Sequence, residues 1–375
     1  MLRHATLNDL PALLALETLC FTSDRLTRRS FRHLLTRGNA VTLLDEERDR
    51  LRGYVLLLFS QGTSMARLYS IAVHPECVGQ GIGSQLLQAA EAAALEQDCV
   101  SMRLEIRRDN TASLALFRHH GYRQFKEVLD YYEDHMDALR FEKRLIPHLK
   151  ADLVRVPYYQ QTLDFTCGPA ALMMAMKALD PGLELNRTLE LRLWREATTI
   201  FMTSGHGGCG PYGLALSAYR RGFALEIHVN EDSVFLVDSV RCPEKKEVMR
   251  LVQEDWIEEL RGLPVLLCYG SMSVDDLRRK FEGGGIPLVL ISSYRIYGER
   301  FPHWVVVTGF DERFIYVHDP LVNAEDGETV TDSVNMPIPH REFQRMARYG
   351  KAAQKAVLIL YRSDSRTDST SAVLA

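Results

Sequence analysis

Ile71-Ala72-Val73-His74-Pro75-Glu76-Cys77-Val78-Gly79-Gln80-Gly81-Ile82-Gly83-Ser84-Gln85-Leu86-Leu87 reads as the end of a strand, a glycine-rich turn and the start of a helix. Glycines at 79, 81 and 83 let the backbone come close to a ligand. The uncommitted N–H groups of the new helix then point at that ligand, and the helix dipole favours an anion there. A pyrophosphate suits this physics, although a glycine-rich turn by itself is a weak signal.

Helix and strand patterns alternate on both sides of this stretch. Helical spacing predicts helices over Asn8–Phe21 and Thr27–Arg37, the second stopped by Gly38. Strands are expected at Val41–Leu44, Leu51–Phe59, Met65–Val73 and Val100–Arg107, with a helix over Gly81–Gln97. A further helix, Asn110–His120, ends at Gly121, and two strand-like runs follow near Arg123–Val128 and Ala138–Arg144. That order describes an α/β unit with a mixed sheet.

The 71–87 segment, followed by Asn110-Thr111-Ala112-Ser113 and Leu116-Phe117-Arg118-His119-His120-Gly121-Tyr122, resembles the two-part acyl-CoA motif of the GNAT acetyltransferase superfamily. The resemblance covers roughly residues 1 to 145. It implies a GNAT fold and acetyl-CoA as co-substrate. It also implies that the CoA arm is held by Ile71, Val73, Val78, Gly79, Gln80, Gly81, Ile82, Gly83 and Ser84, together with Asn110, Ala112 and Phe117. Two positions depart from the family. Val78 stands where Arg or Gln is usual, which removes one side-chain contact to the pyrophosphate. Phe117 stands where a Tyr often protonates the leaving thiolate, and Phe has no proton to give.

In Ser101-Met102-Arg103-Leu104-Glu105-Ile106-Arg107, alternation sends Met102, Leu104 and Ile106 to a core and Arg103, Glu105 and Arg107 to the other face. Such a strand is similar to those of GNATs that acetylate protein N-termini. There the Glu removes a proton from the amine through water, so Glu105 is the candidate base. The competing reading is an ordinary ion pair on a solvated face. Asp130-Tyr131-Tyr132 resembles the acceptor channel of the same subgroup, or simply fills a sheet edge.

The second half centres on Gln161-Thr162-Leu163-Asp164-Phe165-Thr166-Cys167-Gly168-Pro169. Cys167 stands at the start of an apolar helix, Gly168–Leu179, with Pro169 in its first turn. The positive end of the helix dipole favours a thiolate there. Gln161, a short turn upstream, is placed to donate to a developing oxyanion. Much later come Phe301-Pro302-His303-Trp304-Val305-Val306-Val307 and Phe314-Ile315-Tyr316-Val317-His318-Asp319-Pro320. Read as adjacent antiparallel strands, they bring His303 beside Asp319. A thiol nucleophile, a base and an orienting carboxylate would then be complete.

This pattern resembles the papain-like peptidases that cleave double-glycine leaders from bacteriocin precursors. The resemblance implies an α+β papain-like cysteine peptidase fold over 152–362, with Cys167, His303, Asp319 and Gln161 as its catalytic set. Helical patterns at Arg187–Met202, Tyr212–Arg221 and Glu244–Arg261, followed by strands at Ile286–Ser292, Trp304–Gly309, Phe314–Val317 and Ala356–Tyr361, suit that class. Two alternatives stay open: a domain that holds a peptide without cutting it, and a transpeptidase. The loop Ser204-Gly205-His206-Gly207-Gly208-Cys209-Gly210-Pro211 lacks the ligand number of a metal site. It reads as a rim of the Cys167 cleft, with Cys209 as a rival nucleophile.

Composition narrows the setting. The 375 residues are 46% hydrophobic and 25% charged, with a net charge of −4, so nothing asks for nucleic acid. No apolar stretch reaches membrane-spanning length, and the seven scattered cysteines fit a reduced, cytoplasmic protein. The expected partner is a peptide or protein with a free amine. The pattern breaks at Pro147–Asp152, which separates a domain over 1–147 from one over 152–362, with a Ser/Thr/Asp-rich tail at 363–375. Limited proteolysis should cut near that break and leave two resistant fragments. Cleavage confined to the tail would count against the boundary.

Overall fold

A computed structural model describes residues 1–362 apart from 49, 147–151, 200–206, 233, 238–239 and 324–327. Most of the expected domain break, His206 and the 363–375 tail lie outside the described residues. The chain divides into two compact units, 1–149 and 150–375.

The first unit runs β1 (Leu2–His4), α1 (Leu10–Cys20), α2 (Arg28–Thr36), β2 (Ala40–Glu47), β3 (Arg50–Phe59), β4 (Met65–Val73), α3 (Ile82–Glu96), β5 (Ser101–Arg107), α4 (Thr111–His119), β6 (Arg123–Val128) and β7 (Ala138–Arg144). Its seven-stranded sheet has the order β1-β2-β3-β4-β5-β7-β6. The sheet is mixed, because β4 and β5 are parallel and the other neighbours antiparallel. Strand β3 explains its own apolar run. Tyr54 and Leu56 enter a core beneath α1 and α2, while Val55 and Leu57 enter a second core beneath α3. A strand buried on both faces has no polar face to show.

Strands β4 and β5 pair only from Met65–Arg67 to Ser101–Arg103 and then part. Just beyond, Tyr69 is an extra residue in β4 opposite Leu56 and Leu57, a bulge that bends the strand. The gap opens beside the glycine-rich turn, because β4 leads directly into it.

The second unit runs β8 (Asp152–Leu153), α5 (Cys167–Leu179), α6 (Arg187–Ala197), α7 (Pro211–Tyr219), β9 (Ala224–Val229), α8 (Pro243–Arg261), β10 (Leu266–Tyr269), α9 (Val274–Glu282), β11 (Ile286–Ser292), α10 (Tyr294–Tyr297), β12 (Pro302–Phe310), β13 (Phe314–His318), α11 (Val330–Ser333), β14 (Met336–Pro339), α12 (His340–Met346) and β15 (Ala356–Tyr361). The sheet order is β10-β9-β15-β11-β12-β13-β14, with β8 beside β12. Helix α5 packs against β11, β12 and β15, and α7 against β9 and β15. Helices do not simply precede strands: β9 and β10 are interleaved among them, which corrects the sequence expectation. Helix α6 stops at Ala197, short of the expected Met202.

Candidate functional site

Gly81 caps α3 in the left-handed region at φ 78°, and Gly79 has φ 84°. A Cβ built at either would meet nothing within 4 Å, so the turn is an open cradle rather than a packed one. The first N–H groups of α3 have no intrahelical acceptor by the nature of a helix start. The backbone donors therefore fit a pyrophosphate. Val78 is 68% exposed on this turn and offers no donor. The Ser84 hydroxyl is 3.0 Å from His120 Nε2, which ties α3 to the end of α4. Asn110 caps α4 by accepting from the Ser113 N–H at 3.0 Å, leaving its amide nitrogen for a ligand. Ile71 and Val73 are half-buried along the edge of β4, and Ala112 sits in the first turn of α4. Phe117 is 2% exposed, with its ring edge-on to Tyr122 at 5.3 Å. It is part of the core and gives the site only apolar surface.

The Glu105 side chain is only 5% exposed, not solvated. Arg67 Nε donates to its Oε2 at 3.0 Å, and Arg140 Nε lies 3.3 Å from Oε1. The arginines on its own strand look elsewhere: Arg103 to Glu142, and Arg107 to Asp109 and Asp134. Arg67 also donates to the Tyr131 hydroxyl at 3.2 Å. Burial and the Glu105 charge push that phenol up to about 12. Tyr131 and Tyr132 meet edge to face at 5.0 Å. A second buried carboxyl was not foreseen. Glu17 of α1 accepts from the Tyr54 hydroxyl and from the Leu26 N–H. Burial raises its pKa, against the opposing effect of those hydrogen bonds.

In the second unit the His–Asp hairpin forms as the spacing predicts. His303 Nε2 and Asp319 Oδ1 are 2.5 Å apart, and both residues are shut off from solvent, at 1% and 0% exposure. Asp319 accepts further bonds from the Tyr297 hydroxyl at 3.0 Å and the Leu321 N–H at 2.8 Å. The rings of Tyr297 and Phe301 stand edge-on to the imidazole. Burial lowers the imidazole's pKa, but the charge and hydrogen bond of Asp319 and the contact with Cys167 outweigh it. His303 is pushed up to about 10. With Nε2 committed to Asp319, Nδ1 is the atom left to face Cys167.

Cys167 opens α5 at 7% exposure. The glycine after it sits in a tight space. A Cβ on Gly168 would lie 3.1 Å from Leu214, 3.2 Å from Trp304 and 3.3 Å from Cys209. Trp304 Nε1 donates to the Cys209 carbonyl at 2.9 Å, which fixes the 207–210 loop against the cysteine helix. Cys209 itself is buried, and burial drives its thiol well above the ordinary value, with the neighbouring Cys167 adding to the effect. It is a thiol packed at 3% exposure. Gln161 Nε2 donates to the Leu163 carbonyl at 3.0 Å and keeps one proton uncommitted.

Sequence reasoning missed Glu190. This carboxylate on α6 has no exposure and accepts from the Tyr159 hydroxyl at 2.9 Å, the Thr162 N–H at 2.8 Å, the Thr162 hydroxyl at 2.7 Å and the Thr166 hydroxyl. Four donors from the strand of chain that carries Gln161 to Cys167 converge on one side chain. An acid in an amphipathic helix looks like a solvated charge. The only local hint is the density of hydroxyls at Tyr159, Thr162 and Thr166.

Residues 156–361 match the Peptidase_C39 like family, and residues 10–122 match the Acetyltransferase (GNAT) family. The chain is similar to the N-alpha-acetyltransferase MAK3 of Arabidopsis thaliana, at 30% identity over 33% of this chain and 57% of that protein. It is also similar to the putative ribosomal protein bS18-alanine N-acetyltransferase of Bacillus subtilis, at 31% identity over 36% of this chain and 90% of that protein. The chain thus spans little more than half the length of the Arabidopsis relative. Among solved structures, the ribosomal-protein-S18-alanine N-acetyltransferase from Escherichia coli aligns at 20% identity over 39% of this chain and 93% of that one, with a TM-score of 0.36.

All three tryptophans, Trp194, Trp256 and Trp304, lie in the second unit, so their fluorescence reports its unfolding alone. The His303 pair stabilises fully below the free imidazole's pKa of about 6.5. That stabilisation is lost as pH rises through about 10. Asp319→Asn should therefore cost about 3–5 kcal/mol near neutral pH. The gap from wild type in denaturant titrations should narrow between pH 7 and pH 10, and a constant gap would contradict the pairing. Glu190→Ala should destabilise the same unit by at least ~3 kcal/mol, because it leaves several buried donors unmet.

Proposed function

The chain belongs to the Peptidase_C39 like family through its second domain and to the GNAT acetyltransferases through its first, and from that premise we propose a bifunctional enzyme. The first domain transfers acetyl from acetyl-CoA to a free amine, that of a peptide or protein N-terminus. The second adopts a papain-like arrangement and cleaves a peptide bond through a cysteine nucleophile. The peptidase reading is supported by one observation: the His303 imidazole meets both Asp319 and Cys167, an arrangement that suits a nucleophile, a base and an orienting carboxylate.

In the acetyl-transfer reading, acetyl-CoA supplies the activated thioester carbonyl. The 79–84 turn binds its pyrophosphate through backbone N–H groups, and the gap between β4 and β5 admits the arm. The incoming amine must lose a proton as it attacks. Glu105 takes it through water, while Arg67 and Arg140 hold the carboxylate in place. Tyr131 and Tyr132 line the approach of the acceptor. Phe117 gives no proton to the departing thiolate, which leaves as the anion or is protonated by solvent.

In the peptidase reading, Cys167 Sγ attacks the scissile carbonyl, and the oxyanion meets the uncommitted Gln161 N–H and the N–H groups at the start of α5. His303 passes its proton to the leaving amine. It then activates the water that hydrolyses the thioester, and Asp319 stabilises the imidazolium throughout. Glu190 acts at one remove, by holding the chain that carries Gln161 at a fixed distance from Cys167.

Iodoacetamide at mildly acidic pH should label Cys167 ahead of every other cysteine, and His303→Ala should slow that labelling. Early labelling of Cys209 would overturn the assignment. Cys167→Ala should end peptide cleavage and leave acetyl transfer intact. Gly81→Val should abolish acetyl-CoA binding by calorimetry, because a branched residue is strained at positive φ and fills the cradle. Glu105→Gln should lower acetyl-transfer turnover by roughly a hundredfold with acetyl-CoA affinity unchanged. Equal turnover would leave Glu105 a purely structural ion pair.

A further inference from the structure

The second domain holds a cavity of about 300 Å³ that neither proposed activity uses. Its floor is a row across the sheet. Val289 of β11 pairs with Val357 of β15, which pairs with His228 of β9. Cross-strand partners share a face. The floor therefore alternates with Leu288, Leu290 and Leu358, and it lies on the opposite face from Trp304, which pairs with Leu290 and packs beside Gly168. The cavity is thus separated from Cys167 by the sheet itself. Its walls are Val274 and Leu277 of α9, with Phe343 and Ala347 at α12.

The charges around it have one sign. Lys355 and Arg348 line the mouth, and among the described residues no Asp or Glu lines the cavity, in a chain whose acidic residues outnumber its basic ones. Lys355 Nζ donates to the Ser271 hydroxyl at 3.1 Å. Among the described residues no carboxylate pairs with Lys355 or Arg348. Of the acids nearest in sequence to the lining, Asp275 is exposed and does not line the cavity, Glu342 pairs with Arg295 and Arg345, and two more are committed. Glu226 is held by His228 at 2.9 Å and Lys280 at 2.8 Å. Asp276 serves as the cap of α9 through Ser273 and pairs with Arg279.

A floor that is apolar at Val289 and Val357, with His228 turned to Glu226, and two cations that meet no carboxylate among the described residues favour a ligand of matching polarity. A cation would find no counter-ion in the lining, and a plain hydrocarbon would gain nothing from either charge. We propose that this cavity binds a small amphiphilic monocarboxylate. The hydrocarbon body would lie on Val289, Val357 and Leu277, and the carboxylate would accept from Lys355 and Arg348. Two sources present this chemistry, a free alkanoic acid and the apolar C-terminal residue of a peptide. The site does not depend on the acetyltransferase or peptidase reading.

The test is calorimetry on the full chain with octanoate, octan-1-ol and octylamine, alongside N-acetyl-Val-Leu as free acid and as amide. Octanoate or the peptide acid should bind at least about tenfold more tightly than the matched neutral or cationic compound. Octanoate alone would name the free acid as the source, and the peptide acid alone would name the chain end. Lys355→Met with Arg348→Met should weaken the acid about tenfold and leave octan-1-ol unchanged. Ala347→Phe, which fills the cavity, should abolish binding of both. Because a filling variant can disturb α12, the wild-type chain provides an independent reading. The ligand should protect Lys355 from acylation by an amine reagent while exposed Lys351 still reacts. Lack of binding by either acid, affinity indifferent to the paired Met substitutions, or unprotected Lys355 would each overturn the proposal.

Discussion

Bringing an imidazole and a carboxylate together out of water is costly for each charge, and the attraction between them repays that cost only if the remaining lone pairs find donors. His303 and Asp319 meet that condition through their neighbours. The Tyr297 hydroxyl and the Leu321 N–H take up what the imidazole leaves of the carboxylate, and the register of β12 against β13 delivers the two residues to the same place. The site follows from that register. A slip of one residue would turn His303 to the other face of the sheet and leave Asp319 with buried oxygens and no cation.

The same rule governs two other acids whose side chains are shut away from water. Glu105 sits between Arg67 and Arg140, and Glu190 gathers hydroxyls and an N–H from 159–166. These two carboxylates join segments distant in sequence: β5 to β4 and β7 in the first domain, and α6 to the chain before α5 in the second. An acid with such partners works as a fastener whose failure is felt at the site it holds, because unmet buried donors cost more than the bonds themselves contribute.

How much of this could be read in advance depended on whether the signal was local. Strands β4, β6, β7, β11 and β15 have the bounds their alternation or apolar runs predict. Cys167, Gln161, His303 and Asp319 sit on the elements expected of them. Strand β9 was missed although Leu225, Ile227 and Val229 alternate with Glu226 and His228, because a six-residue run with two polar residues resembles a loop after Gly222. Helix α9 was missed although Ser273 and Asp276 form a capping box, a usable local signal. The partners of Glu105 and the whole role of Glu190 depend on tertiary contacts, and no window of sequence contains them.

The parting of β4 from β5 has a thermodynamic consequence. Two strands that separate after three paired residues leave facing stretches of backbone without ladder bonds to each other, in the middle of a seven-stranded sheet. A sheet interrupted at its centre is held together mainly by the helices lying across it, and it gains rigidity when something polar and extended occupies the gap. A molecule that fits there adds to the domain's resistance to unfolding in proportion to RT ln(1 + [L]/Kd). The melting temperature of the first domain then becomes a gauge of how much donor surrounds it. A shortage of donor would first appear as a softer protein and only afterwards as a slower one.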